Sequence, residues 1–457
     1  MTILRHDAES SGPSAAKPWW VHDGLDVKNG RLRIASRDAE TVARLHGTPL
    51  YAYDGERIGE QIQALLDAAD RARLATRVRV AMKAQHEPEI LRYILRRFCP
   101  SGDEGVGVDV SSPGEVQRAL ECGWSPRLVS YTGTNVSERD LDVLLSHPIH
   151  LNVDGISQLR RVGRRAPGRR VGVRINPRVG AAHGMGDVSL YCGEKPTKFG
   201  IYPDRLPEAV AVAREHGLAI VTLHAHVARM VLDDDLGCYE RVLKSLADCA
   251  HTLRDLGCPL EEVNVGGGLG VPTRAGEQPL DLDRVVGLWK KYLGPLNVTV
   301  GCENGEFFSR ESGILLAEVV SVEDRDGVVF VGVDAGWNVF NLRFIFEQRH
   351  DVVLCRDVLG ATVRHVTIAG NINQGPDLFA EDWPFPEVHE GDIVAVMGAG
   401  AYAQAASFDT HCLRPHAGSV FFETREPADD RDEMEPKSTA AGATVVEPGV
   451  GIGPAMT

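Results

Sequence analysis

The chain has 457 residues, 43% of them apolar and 25% charged, with a formal charge of −15. That composition describes an ordinary globular protein of about two or three domains. The acidic balance argues against nucleic acid or an anionic membrane as partner, and no run approaches the roughly 20 apolar residues of a membrane helix.

Nine cysteines without a C-x-x-C pair predict reduced thiols. Together with an N-terminus lacking a signal-peptide core, they predict a cytoplasmic protein. No metal-ligand spacing is present. His224 and His226 are two apart, but no third ligand accompanies them.

Residues 1–17 are polar and rich in Pro and Ser, which predicts a flexible arm. Residues 18–48 hold short β-like pieces, including Gly30-Arg-Leu-Arg-Ile34, expected to join a later β domain. From 49 to 304 short β-rich runs alternate with helical segments. Strands are expected at 49–53, 77–83, 106–110, 128–132, 149–153, 170–175, 219–226, 262–266 and 298–302. Helices such as 55–73, 113–122, 137–145, 205–216 and 237–256 lie between most of them.

Repeated β–α units over about 250 residues predict a parallel sheet closed into a (β/α)8 TIM-like barrel, with an open doubly wound sheet as the alternative. Over 305–425 the texture becomes mainly β. Val319-Val-Ser-Val-Glu323, Val328-Val-Phe-Val-Gly-Val333, His365-Val-Thr-Ile-Ala369 and Ile393-Val-Ala-Val-Met397 read as strands between Gly/Asp turns. Residues 426–457, rich in charge, Ala, Gly and Pro, read as a disordered tail.

The stretch Val-Arg-Val-Ala-Met-Lys-Ala-Gln at 78–85 ends a buried strand on an amine, Lys83. A buried lysine is costly unless paired, neutral or covalently used. Two readings compete: a structural ion pair, or an amine of lowered pKa that bonds a carbonyl cofactor.

If 49–304 is a barrel, chemistry belongs at the C-terminal strand ends, where the other unusual residues also fall. His224 and His226 close Ala219-Ile-Val-Thr-Leu-His-Ala-His226 and share a face by alternation. Gly266, Gly267 and Gly268 follow Val263-Asn-Val265 directly and can turn backbone N–H groups toward an anion. Glu303 ends the last barrel strand, where a carboxylate can keep a pyridine nitrogen protonated. Tyr402 follows a strand in Gly398-Ala-Gly-Ala-Tyr402, and Asn373-Gln-Gly-Pro-Asp377 is a polar loop without an evident structural task.

In this order, the lysine, histidine, glycine run, carboxylate and Gly-Ala-Tyr resemble the fold-type III pyridoxal-phosphate decarboxylases. That family includes the diaminopimelate, ornithine and arginine enzymes and is related to alanine racemase. The resemblance spans about residues 47–423 and includes Gly47-Thr-Pro-Leu-Tyr-Ala-Tyr-Asp54, Asp109-Val-Ser-Ser-Pro-Gly-Glu115, Arg174-Ile-Asn-Pro177 and Lys198-Phe-Gly200.

The resemblance implies an alanine racemase-like barrel plus a β-barrel domain, with pyridoxal 5′-phosphate as cofactor. It implies that Lys83 holds the cofactor, His226 stacks on its ring and Glu303 pairs with the ring nitrogen. Gly266 to Gly268 and Tyr402 would meet the phosphate. It also implies a homodimer with shared active sites, the partner contributing the 373–377 loop.

Several positions depart from the family's pattern. His226-Val-Ala-Arg229 replaces His-x-Gly-Ser, and Glu303-Asn-Gly-Glu306 replaces Glu-Pro-Gly-Arg. Arg229 is expected to supply the phosphate's cation, and Glu306 to neutralise it or meet a cationic substrate group. Asn373 stands where the family has the cysteine that returns a proton to carbon, with Gln374 and Asp377 beside it. Arg343 and Phe346 in Asn341-Leu-Arg-Phe-Ile-Phe346 fall near the Arg-Pro-x-Leu-Tyr that helps hold a distal carboxylate in the diaminopimelate enzyme. Glu347 lies about where basic-substrate members carry an aspartate.

These changes predict decarboxylation of a non-standard amino acid, free or carrier-bound, rather than of diaminopimelate. The alternatives are an amino-acid racemase or epimerase on the same fold, and a catalytically inactive cofactor-binding relative.

Overall fold

A computed structural model describes residues 18–183, 195–346, 348–425 and 443–446. The expected arm over 1–17, Glu347 and most of the expected tail lie outside them. The chain forms two compact units. One is a barrel unit of residues 59–272 and 278–308. The other is a β unit of the described residues up to Ile58, Thr273–Glu277, and those from Ser309 on.

The barrel unit is a closed ring of eight strands. They are β1 (Thr76–Ala81), β2 (Gly107–Val110), β3 (Val129–Gly133), β4 (His150–Val153), β5 (Arg170–Arg174), β6 (Ala219–His224), β7 (Glu262–Asn264) and β8 (Thr299–Asn304). Every neighbouring pair is parallel, and β8 closes on β1 with Cys302 opposite Val78. Helices between the strands include Pro88–Phe98, Pro113–Glu121, Glu138–Leu145, Ile156–Arg165, Leu206–Glu215 and Leu236–Asp255.

Local chemistry starts these helices. The Ser112 hydroxyl accepts the Glu115 N–H at 3.1 Å, and Ser137 and Asp140 cap each other's backbone. Outward strand residues such as Val78, Val80, Val108, Val171 and Val173 are fully buried, as a barrel covered by helices requires.

The inward face is polar. Alternation sets Arg77, Arg79 and Ala81 on one face of β1, and Arg79 donates to Glu262 of β7 through two bonds of 2.7 and 3.1 Å. Gly301 leaves room for this pair, since a Cβ there would lie 2.2 Å from Glu262 Oε1. Burial opposes the charge on Glu262, yet Arg79 and Arg77 hold its carboxyl down to about 2. On β4, Asn152 bonds the hydroxyls of Ser130 and Thr132 of β3 at 3.2 and 3.0 Å.

The second unit is mainly β, as expected, and is built on a nine-stranded mixed sheet. Its spine is the 13-residue strand Gly313–Arg325. The first half pairs with Leu50–Asp54 and Ile393–Val396, and the second half with Val328–Val333. A separate three-stranded sheet, Leu25–Lys28, Arg31–Ile34 and Arg37–Asp38, shares a buried apolar cluster with the spine. Leu32, Ile34, Leu50, Ile314, Leu316 and Phe422 are among its members.

Three expectations need correction. The strand expected over 49–53 forms, but it pairs with Gly313–Arg325 and Gly418–Phe422 instead of opening the barrel. Its all-apolar texture suits either sheet, and only long-range pairing decides. A helix, Ala39–His46, occupies part of the expected β region, started by Asp38 accepting the Thr41 N–H at 2.8 Å. Within the expected tail, the β-branched run Ala443–Val446 pairs with Gly418–Phe422.

Candidate active site

Lys83 lies just past β1, in a turn closed by Ala84 N–H to Ala81 O at 3.1 Å. Its side chain is 40% exposed and its Nζ sits 3.7 Å from Asp109 Oδ2. The amine is therefore at the barrel mouth, not at a buried strand end as expected. Asp109, on the inward face of β2, is buried. Burial, followed by the charge of Glu303, pushes its carboxyl well above the usual range, against the opposing pull of Lys83. Among the described residues, Asp109 Oδ1 has no hydrogen-bond partner.

Glu303 is fixed at both oxygens. His224 Nε2 meets Oε2 at 2.9 Å, and Asn264 Nδ2 donates to Oε1 at 2.6 Å. Burial works against the charge on Glu303, but His224, Arg79 and Asn264 outweigh it and hold the carboxyl far below the usual range. The ring nitrogen of His224 away from Glu303, Nδ1, is buried without a partner among the described residues. Asn264 also accepts the Gly266 N–H through Oδ1 at 2.9 Å, so one side chain spans the carboxylate and the glycine run.

The glycine run presses against backbone. A Cβ on Gly266, Gly267 or Gly268 would come within 2.3, 2.2 or 2.4 Å of the carbonyls of Ala225, Glu303 or Ala228. Gly266 and Gly268 also take φ of +72° and +107°, which favour glycine. Most donors of the run are spent internally. Gly267 N–H reaches His226 Nδ1 at 3.3 Å, Leu269 N–H reaches Asn304 Oδ1 at 3.2 Å, and Gly270 N–H reaches Val231 O at 3.0 Å. Among the described residues, Gly268 N–H is the one left without an acceptor, so the expected three-donor cradle narrows to one open donor.

Burial, then the positive charges of Lys83 and Arg174, push His226 well below the ordinary histidine range. Arg229 lies on the short strand Ala228–Arg229, and two residues on, Val231 N–H donates to Gly268 O of the glycine run at 2.8 Å. Glu306 follows β8 and is largely buried. Arg174 lays its guanidinium 4.5 Å from the centre of the Phe199 ring and meets Asp154 at 3.3 Å. That contact explains why Arg174-Ile-Asn-Pro177 and Lys198-Phe-Gly200 occur together in one chain.

In the β unit, Tyr402 has φ of +61°, a strained backbone for a bulky residue. Arg343 is occupied, donating to Glu381 Oε2 at 2.8 Å and Phe379 O at 3.2 Å. Asp377 spends one oxygen on Trp337 N–H at 2.8 Å and the other on Ile372 N–H at 2.7 Å. It shapes the loop and leaves Asn373 and Gln374 exposed at the tip.

Sequence reasoning passed over Asp109, Asn264 and Arg79. The signal was present: polar residues alternate with valines along these short strands, as in Gly107-Val-Asp-Val110.

A closed parallel barrel with an amine, an ionised buried carboxylate and a glycine run at its strand ends is the architecture of the fold-type III pyridoxal-phosphate enzymes. Residues 57–310 match the family model of the pyridoxal-dependent decarboxylase, pyridoxal binding domain. The diaminopimelate decarboxylase of Methanothermobacter thermautotrophicus is 33% identical over 400 residues, covering 86% of this chain and 90% of that protein. The Streptomyces coelicolor diaminopimelate decarboxylase is 31% identical over 437 residues, covering 91% and 92%. The crystal structure of the Helicobacter pylori diaminopimelate decarboxylase complexed with L-lysine superposes with a TM-score of 0.76 at 26% identity, covering 86% of this chain and 98% of that one. The chain belongs to the pyridoxal-dependent decarboxylases, and its cofactor is pyridoxal phosphate.

The residues present fit that cofactor. A glycine cradle that any Cβ would fill, one open N–H beside Arg229, an ionised carboxylate and an amine form a donor set suited to its phosphate, ring nitrogen and carbonyl. No helix of the described residues is long and apolar enough to cross a membrane.

Proposed function

We propose that the enzyme decarboxylates a non-standard α-amino acid, free or carrier-bound, rather than diaminopimelate. Bound pyridoxal phosphate supplies a carbonyl for amines and an electron-withdrawing ring. Lys83 holds the cofactor through its amine and yields to the substrate's amino group. Glu303, kept ionised by His224, Arg79 and Asn264, holds a proton at the ring nitrogen. His226, kept neutral by burial, covers the ring without adding charge to it. Gly268 and Arg229 meet the phosphate, with Gly266 and Gly267 setting the loop's close approach and Tyr402 reaching the same group. The working form is a cytoplasmic homodimer that offers the 373–377 loop to its partner's site.

One observation carries the choice of substrate. Arg343, the arginine nearest in sequence to the family's distal-carboxylate contact, is committed to Glu381 at 2.8 Å. Arg343 already has acceptors in Glu381 and Phe379, while the buried carboxylate of Glu306 suits a substrate cation.

The test is a single-turnover screen of amino acids for carbon dioxide release, with meso-diaminopimelate as control. A panel member with a kcat/KM at least tenfold above the control supports the proposal. Diaminopimelate as the best substrate overturns it, as does deuterium uptake at Cα with the acid retained.

A further inference from the structure

Loss of carbon dioxide leaves an electron pair on Cα, and the amine product carries hydrogen there instead. Each turnover therefore consumes one proton. Asn373, at the position where the family carries its proton-delivering cysteine, has no acidic proton to give at neutral pH.

Lys83 and Asp109 are 3.7 Å apart, one half-exposed and the other almost fully buried. A carboxylate retained only to pair with lysine should have both oxygens satisfied, because an unmet buried acceptor costs about 1–3 kcal/mol. Asp109 Oδ1 is unmet among the described residues. The backbone of Asp109 is also tied to the lysine's turn, its main-chain carbonyl accepting the Met82 N–H at 2.9 Å. Asp109 thus faces the amine from a fixed strand, while the lysine opens to water.

We propose that Asp109 is the proton store for Lys83, a positioning and relay residue. The inference rests on Lys83 as the cofactor lysine and on decarboxylation as the reaction. The Lys83 ammonium gives a proton to Cα, and the electrons of that N–H bond stay on Nζ. The Asp109 O–H then passes its proton to Nζ and becomes a carboxylate. When Lys83 bonds the cofactor again, that carboxylate takes back the proton that Nζ must lose, and the departing amine takes the turnover's net proton from water at the mouth. Burial and Glu303, with a smaller push from Glu115, favour the protonated form of Asp109 against the opposing pull of Lys83 and Arg79.

The experiment uses Asp109→Asn and Asp109→Glu in the full chain with two readouts. The first is the rate at which apoprotein captures pyridoxal phosphate covalently, followed by absorbance and independent of turnover. The second is the ratio of carbonyl product to amine per carbon dioxide released. If the proton goes to the cofactor's own carbon instead of Cα, the substrate nitrogen stays on the cofactor and a carbonyl compound leaves with oxygen from water.

Asp109→Asn should slow capture at least tenfold at pH 7 and raise the carbonyl-to-amine ratio at least tenfold, and Asp109→Glu should restore most of both. Unchanged capture and ratio in a folded Asp109→Asn protein overturn the proposal. Should that variant not fold, the wild-type ratio decides: it should rise as pH climbs through the raised pKa of Asp109, and a flat profile from about pH 6 to pH 9.5 overturns it. If wild type releases carbon dioxide from no substrate, the decarboxylation reading has failed instead, and the capture rate alone decides the role of Asp109.

Discussion

The two levels of the barrel interior are both polar and both buried, yet they are built to opposite standards. Lower down, Arg79 and Glu262 satisfy each other in two directions at 2.7 and 3.1 Å. Beneath them a cavity of about 520 Å³ opens at the strands' N-terminal ends, lined in part by Arg77, Arg127, His150 and Arg170. At the mouth, Asp109 Oδ1, His224 Nδ1 and Asn304 Nδ2 are buried without partners among the described residues. A satisfied network holds a structure together, whereas unmet groups are retained where something else must meet them. The two mouth carboxylates repeat the lesson. Glu303, gripped at both oxygens, is held ionised, while Asp109, gripped weakly, is pushed toward its neutral form.

The largest effect should come from the mouth and leave the fold intact. Lys83→Ala removes the amine proposed to bond the cofactor there. Covalent capture should vanish and decarboxylation fall by roughly 10⁴-fold or more. Because Lys83 is half-exposed, thermal unfolding of the apoprotein should shift by under about 1 kcal/mol. A variant that still captures the cofactor would break the comparison at its centre.

Glu262→Gln should do the reverse. It leaves the Arg79 guanidinium buried with its counter-charge removed, which costs about 3–5 kcal/mol. In a unit of this size that lowers the midpoint of thermal unfolding by roughly 10 °C. Surviving folded protein should still capture the cofactor covalently. A double replacement, Arg79→Met with Glu262→Leu, should recover most of the loss, because two apolar side chains replace a pair that must otherwise be desolvated. Calorimetry of the three variants checks this, and a single variant that melts like wild type would remove the lower level's structural role.

Much of this was readable in the chain. Short β-rich runs alternating with helical segments predict the barrel, and the ends of those runs point to Lys83, His224, the glycines and Glu303. The strand ends were read too long by two residues at Lys83, His226 and Gly266, because alternation gives no stop signal once a run leaves the ladder. What stayed hidden depends on closure. Arg79 and Glu262 lie about 180 residues apart, and their meeting follows from the register that sets β8 between β7 and β1. The β-unit membership of Leu50–Asp54 was hidden for the same reason, since its partners lie beyond residue 312. Asp109 was passed over because a lone aspartate in a short run reads as a strand end until a lysine is found opposite it.

The finest contrast lies in the response to acid. His150, on the lower level, is pushed down to about 4, chiefly by burial and then by Arg79, with Glu262 pulling the other way. Between pH 6.5 and 4 the unfolded chain takes up a proton that the fold refuses. This contribution to stability is therefore complete above pH 6.5, declines as pH falls and is lost below about 4, amounting to about 3 kcal/mol at most. Glu262 extends the same loss from about 4.5 to 2. Asp109 acts with opposite sign: its raised pKa means the folded state binds a proton more readily than the unfolded chain, so acidification offsets part of the decline. His150→Asn keeps an amide beside Asn152 and removes the titration. Denaturant unfolding at pH 7 and pH 4.5 should show the variant losing less stability than wild type, by up to about 3 kcal/mol. In an added Asp109→Asn background the decline should steepen. Equal slopes in all three proteins would mean that the lower level and the mouth do not differ in how they hold their protons.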